Sequence, residues 1–167
     1  GLVALGFVNS PKSIAPWGGT KAVFGTNPLA FACPRKEGAP LVIDQSSSKV
    51  ARSEIRLAQQ EGREIPLGWA LDTEGKPTTD AEAAMAGTVL PYGDHKGYGI
   101  ALMVDLMAGA MTGARLSHQA DPFVGDDGGP PGTGQLFLAI DPGPLGGGHF
   151  TQRVDGLCAL ILDEPGV

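Results

Sequence analysis

The heptapeptide Gly93-Asp94-His95-Lys96-Gly97-Tyr98-Gly99 is where the chain offers most to an anion. A lysine and a histidine stand there at the expected start of a helix, with glycines on both sides. A lysine in the first helical turn opposes the helix dipole unless an anion is present. The dipole end, the ammonium and close backbone approach together suit a phosphate or a carboxylate. A solvated lysine beside a surface histidine is the equal alternative.

Two further places put polar groups at the ends of apolar runs. In Asp44-Gln45-Ser46-Ser47-Ser48 a strand end feeds a helix start. Asp44 could accept from ribose hydroxyls or an amide, and the N–H groups behind it could hold an anion. Simple helix capping is the better reading of this stretch on its own. In Gly25-Thr26-Asn27-Pro28 the glycine lets backbone approach a ligand, while threonine and asparagine offer hydrogen bonds. By spacing alone an ordinary turn is favoured. Glu54 is expected on a helix face shared with Val50, Leu57 and Ala58, where a partly buried carboxylate would need a partner. Lys49, Arg52 or Arg56 could pair with it, or it could orient a histidine. Asp105, inside an apolar helix, poses the same question and is read as structural. His118 and His149 fall in loops and are read as exposed.

The elements that must position these groups alternate irregularly. Strands are expected over 2–8, 29–33, 41–43, 135–140 and near 157–162. A helix over 49–61 is capped at its start by the three serines and stopped by Gly62. Residues 71–77 read as a loop, and 80–86 as a short helix or turn. Asp94 is placed as the cap of a buried helix over 95–111 that ends at Gly113. Many of the 26 glycines and 14 prolines fall between 126 and 148, marking a long loop region around the strand at 135–140. There is no internal repeat, no regular βαβ alternation and no Gly-x-Gly-x-x-Gly after a strand, which counts against a Rossmann domain.

Composition excludes several classes. The 167 residues predict one domain, 1–167, and 42% apolar content is enough for a core. The net charge of −6, with no basic run longer than Arg35-Lys36, argues against a nucleic-acid surface. A small molecule or a second copy of the chain is the expected partner. Cys33 and Cys158 are read as buried small hydrophobes in strand-like runs. Without a Cys-x-x-Cys pair no zinc or redox site is expected, and a reducing cytoplasm follows. The apolar stretch over 98–111 is short for a membrane span and carries Asp105.

Several of these motifs occur in one order: Ala15-Pro16-Trp17-Gly18-Gly19, Gly25-Thr26-Asn27-Pro28, 44–48, Ile65-Pro66-Leu67-Gly68-Trp69-Ala70, Gly75-Lys76-Pro77-Thr78-Thr79-Asp80 and His95-Lys96-Gly97. The string resembles the malate/L-lactate dehydrogenase family over essentially the whole chain. Asp44-Gln45 and the run Gly125-Asp126-Asp127-Gly128-Gly129-Pro130-Pro131 look most like its Δ1-piperideine-2-carboxylate/Δ1-pyrroline-2-carboxylate reductase branch. The resemblance implies an α/β fold with a mixed or largely antiparallel sheet flanked by helices. It implies a homodimer that binds NADPH, with NADH as the alternative. Cofactor contacts would fall on Thr26, Asp44, Gln45, Ser46, His95 and Lys96. No residue reads as a clamp for the 2′-phosphate; Lys21, Arg52 and Arg56 are candidates only. The acidic partner of the family's catalytic histidine would fall on Glu54, where the reductase branch often has aspartate. The implied reaction is hydride transfer to a C=N or C=O next to a carboxylate, so the substrate is a cyclic imino acid or a 2-oxo acid. A malate- or lactate-type dehydrogenase and a non-catalytic dinucleotide-binding module are the alternatives. Gly1 opens inside an apolar run, and the family's histidine lies upstream of the matching position. The chain is therefore expected to be an internal fragment, inactive by itself.

Overall fold

The computed structural model describes residues 1–123 and 129–166. Residues 125–128 of the run resembling the reductase branch lie outside them. The backbone contacts gather into two compact units. The first comprises Gly1–Gly6, Ala30–Asp44 and Phe137–Val167; the second comprises Phe7–Leu29 and Gln45–Leu136.

The first unit holds most residues of a sheet in the order β3-β2-β1-β7, formed by β1 (Val3–Val8), β2 (Leu29–Cys33), β3 (Leu41–Gln45) and β7 (Gln135–Ile140). These strands arise where expected, because short β-branched and aromatic runs are bounded by Pro, Asn and Gly. At Gly6, inside β1, an added Cβ would stand 3.2 Å from the exposed Phe137 ring. The strand expected near 157–162 is instead the end of helix α5 (Phe150–Leu162), which follows the short helix α4 (Pro142–Gly146). A continuous apolar run cannot by itself separate strand from buried helix. The half-buried positions Phe150, Val154, Asp155 and Cys158 recur at helical spacing, and that period decides. Cys158 is therefore a half-buried helical residue rather than a strand residue, while Cys33 is buried as expected. Asp155 closes an ion pair with Arg35 at 2.8 Å.

The second unit carries the candidate site. Helix α1 (Arg52–Gln60) buries Ile55 and Ala58 against Ala81 and Ala84 of α2 (Ala81–Ala86), with Ile65, Ala70 and Val89 completing the core. The expected apolar face was set one residue out of phase. Leu57 and Glu54 are exposed, and Ile55 takes the central place. The serines do not cap α1 either. Its cap position is Ala51, without a side-chain bond, and Ser48 Oγ donates to Val50 O instead. The end of α1 is as expected. Gly62 adopts φ +64°, its N–H bonds Gln59 O, and Arg63 N–H bonds Ala58 O, the two bonds of a Schellman motif.

Residues 71–77 form a hairpin rather than a plain loop. Strands β4 (Ala70–Leu71), β5 (Pro77–Thr78) and β6 (Thr88–Val89) make an antiparallel sheet in the order β5-β4-β6. Asp72 Oδ1 accepts from the N–H groups of Glu74 and Lys76 and so holds the turn. Asp80 caps α2 by accepting from Glu82 N–H at 2.9 Å. Replacing Asp80 by alanine is expected to cost about 1 kcal/mol in urea denaturation, the usual value of a lost N-cap.

Helix α3 (His95–Asp105) runs on as a π-helical turn (Leu106–Ala110) rather than as one regular helix to 111. It is less buried than expected: Gly97, Ala101 and Val104 are covered, while Met103, Leu106 and Met111 are exposed. Its covered face meets Ile14 and Phe24, with the Phe24 and Tyr98 rings 5.7 Å apart. Among the described residues no helix is long and apolar enough to cross a membrane, and no group of three or more His, Cys, Asp or Glu could hold a metal.

Candidate functional site

Two of the segments singled out in the sequence meet in the second unit. Residues 45–48 run beside residues 90–92, just before α3. Tyr92 N–H bonds Ser47 O at 3.1 Å, Lys49 N–H bonds Leu90 O, and Gln45 Nε2 donates to the Tyr92 hydroxyl at 3.3 Å. Gly97 makes this approach possible, because a Cβ there would lie 2.7 Å from Ser47 O. Gln45, Ser46, His95 and Lys96 thus share one neighbourhood. Asp44 is exposed and ends the first unit.

The α3 terminus differs from expectation in one respect. Asp94 takes the cap position at φ 59° but makes no side-chain cap. The N–H groups of Lys96 and Gly97 are already taken by Gly93 O and Tyr92 O. An anion there would be held mainly by side chains. Lys96 and His95 are exposed, and among the described residues Lys96 pairs with no carboxylate. The exposed Lys96 ammonium and His95 imidazole beside Gln45 and Ser46 fit the phosphates and hydroxyls of a dinucleotide.

The third segment joins the other two. Thr26 O accepts from Ser47 N–H at 2.7 Å, while Thr26 Oγ1 lies 3.3 Å from Ser10 Oγ. Thr26 lines a cleft of about 540 Å³ together with Ser10, Lys12, Ser13, Arg52, Arg56, His118 and Phe123. The Gly25-Thr26-Asn27-Pro28 run is more than an ordinary turn. Asn27 is fully buried at φ 37°, and its side chain accepts from Ser10 N–H and donates to Ala101 O.

The electrostatics of the cleft favour an anion. Burial, followed by the neighbouring Arg56 charge, holds the Arg52 guanidinium below its ordinary pKa. Arg52 is fixed by a bond from Nη2 to Met85 O. None of Lys12, Arg52 and Arg56 meets a carboxylate among the described residues, and Asp121 in the wall is engaged by Arg115 at 2.6 Å. The Ser13 hydroxyl is buried without a hydrogen-bond partner among those residues. Like charges left adjacent and uncompensated are stabilised by any anion that enters.

Glu54 does not belong to this lining. It is exposed in the first turn of α1 and forms none of the ion pairs considered for it. His118 is exposed as read, but it lines the cleft. Sequence reasoning gave Lys12, Ser10, Ser13 and His118 no role. The available signal was the pair Arg52 and Arg56, like charges four residues apart, which a helix tolerates at a cost. Lys21 is exposed and is not part of the lining.

The whole chain, residues 1–167, matches the malate/L-lactate dehydrogenase family. It is 48% identical over 167 residues to a (2R)-3-sulfolactate dehydrogenase (NADP(+)) of Chromohalobacter salexigens, covering 100% of this chain and 50% of that protein. It is 45% identical over 170 residues to a Δ1-pyrroline-2-carboxylate reductase of Ancylobacter novellus, again covering 100% and 50%. The crystal structure of a Δ1-piperideine-2-carboxylate reductase from Pseudomonas syringae superposes with a TM-score of 0.90 at 38% identity, over 100% of this chain and 51% of that one. The chain thus spans about half the length of the curated relatives it matches.

Proposed function

The chain belongs to the malate/L-lactate dehydrogenase family, and on that premise we propose that its protein is an NADPH-dependent reductase of cyclic imino 2-carboxylates of the Δ1-pyrroline and Δ1-piperideine type. The observation that carries this reading is the cationic cleft built against the 45–48 segment through the Thr26 carbonyl. A carboxylate held there by Arg52 and Arg56 would sit next to the groups proposed for the cofactor.

NADPH would be held by Asp44, Gln45, Ser46, His95 and Lys96 and would supply the hydride for the C=N carbon; Thr26, a cofactor contact by the resemblance, is assigned to the substrate side because it lines the cleft. The chain's own residues bind and orient the substrate. The guanidinium groups bind the carboxylate, Thr26 and Ser10 offer hydroxyls to the ring, and Phe123 gives it an apolar wall. The proton that the nitrogen takes up would come from a histidine, and the resemblance gives Glu54, exposed and outside the cleft lining, as its acidic partner. The active protein is proposed to be a cytoplasmic homodimer. The exposed Val42, Ile43, Phe137 and Leu160 of the first unit support the assembly, since apolar surface of that kind is usually covered.

A second reading is favoured by one observation. Three cationic side chains in one cleft, Lys12, Arg52 and Arg56, also suit a 2-oxo acid with a second anionic group, and the sulfolactate dehydrogenase relative is 48% identical. Rates of NADPH oxidation by the full-length protein with Δ1-pyrroline-2-carboxylate, sulfopyruvate, oxaloacetate and pyruvate separate the two readings.

The cofactor site is tested by thermal shift, because a ligand that binds only the folded state raises the melting temperature. NADPH is expected to stabilise the chain, and Lys96→Glu is expected to raise its Kd at least about tenfold by replacing an attractive charge with a repulsive one. If neither NADPH nor NADH stabilises the wild-type chain, the assignment falls.

A further inference from the structure

Asp105 is a carboxylate in an unusual position. It ends α3 and is only 4% exposed, and among the described residues no cation pairs with it. Neutral donors surround it instead. Asn9 Nδ2 donates to Oδ1 at 3.0 Å, Ser117 N–H at 3.0 Å and the Ser117 hydroxyl at 2.8 Å. Ser117 Oγ also lies 3.1 Å from Asn27 Oδ1, so its one proton is shared between the two acceptors. Gly109, in the π-helical turn, leaves the space this needs, since a Cβ would stand 3.2 Å from Asn9 Nδ2.

The three residues so joined, Asn9, Asn27 and Ser117, are each fully buried. Each is also the chain neighbour of a residue that lines the cleft: Ser10, Thr26 and His118 respectively. The cleft is built from segments distant in sequence, and this cluster ties those three together. A purely structural tie has no need of a buried charge, which is costly when unpaired. A carboxylate does one thing an amide cannot. It accepts from several converging N–H and O–H groups while presenting no donor of its own.

We propose that Asp105 and Ser117 are positioning residues that set Ser10, Thr26 and His118 at the spacing the bound carboxylate requires. The inference rests on the cleft reading above. Asp105→Asn keeps the shape but puts an NH2 group where Oδ2 accepts from Ser117 N–H at 3.3 Å. Ser117→Ala removes the hydroxyl that reaches both acceptors.

The test titrates the wild-type chain and both variants with pyrrole-2-carboxylate, an unreactive planar analogue, and separately with NADPH. Melting temperature is measured without ligand. Each variant is expected to raise the Kd for pyrrole-2-carboxylate about tenfold, the effect of one disturbed buried hydrogen bond, and to leave the NADPH Kd within about twofold. The double variant is expected to lose no more than the worse single one, because both changes open the same clasp. A lower melting temperature with unchanged carboxylate affinity would make the cluster merely structural and overturn the proposal. Equal loss of both ligands would overturn it as well. Ser117→Ala decides the matter if Asp105→Asn does not fold. A wild-type chain that fails to bind pyrrole-2-carboxylate sinks the cleft reading itself, an outcome distinct from wild-type binding that the variants leave intact.

Discussion

Replacing Gly97 by alanine is expected to destabilise the protein by about 3 kcal/mol, at the upper end of what one added methyl does in a packed interior. The reason is local and geometric. The new Cβ would overlap Tyr92 O and would lie 2.7 Å from Ser47 O and 2.8 Å from Tyr92 N. All three atoms belong to the backbone, so no side-chain rotation relieves the clash. Two bonds depend on that approach, Gly97 N–H to Tyr92 O at 2.9 Å and Tyr92 N–H to Ser47 O at 3.1 Å. Forcing them apart separates residues 45–48 from the start of α3. Affinity for NADPH should fall with stability. Gly99 is the control on the same helix. Nothing lies within 4 Å of a Cβ there, so Gly99→Ala should be neutral or stabilising by up to about 1 kcal/mol through helix propensity. Denaturation of the two variants side by side is decisive: equal stability would show that α3 and the 45–48 segment are not packed as described.

That contrast marks how far the sequence was legible. The heptapeptide at 93–99 announced a helix start with glycines on both sides, but not which glycine was indispensable. Gly97 faces the neighbouring backbone and Gly99 faces open space, a difference set by the partner segment and not by local spacing. The strands of the first unit were readable because turn residues bound short apolar runs. Helix α5 was not, because its end is continuous apolar chain and its period shows only when Phe150 and Val154 are counted with it. The same limit hid the cleft. Arg52 and Arg56 were visible only as candidates for the 2′-phosphate and for pairing with Glu54, whereas Lys12 and His118 stand far away in the chain and had no periodic signal. Glu54 shows the opposite error. Its assumed burial followed from a helix phase set by Leu57, and the phase is set by Ile55. Asp105 was read as structural, and the hydrogen bonds it makes reach partners 12 and 96 residues distant that could not be named beforehand.

Removing both arginines of the cleft should separate binding from stability. Arg52→Ala together with Arg56→Ala is expected to raise the Kd for pyrrole-2-carboxylate about a hundredfold, from two charge-assisted hydrogen bonds worth about tenfold each. Stability should respond differently to the two changes. Arg52 is half-buried and bonds Met85 O, so its loss loosens the packing of α1 on α2. Arg56 contributes a like charge that, with burial, holds the Arg52 guanidinium below its usual pKa. Taking Arg56 away relieves that repulsion. Arg56→Ala alone should therefore weaken carboxylate binding about tenfold while leaving the melting temperature unchanged or slightly higher. A charge kept only for folding would behave in the reverse way, with stability falling and affinity intact. Paired measurements of melting temperature and carboxylate Kd across the two single variants and the double variant decide between these outcomes. A fall in melting temperature for Arg56→Ala with no change in Kd would remove the cleft from the substrate site.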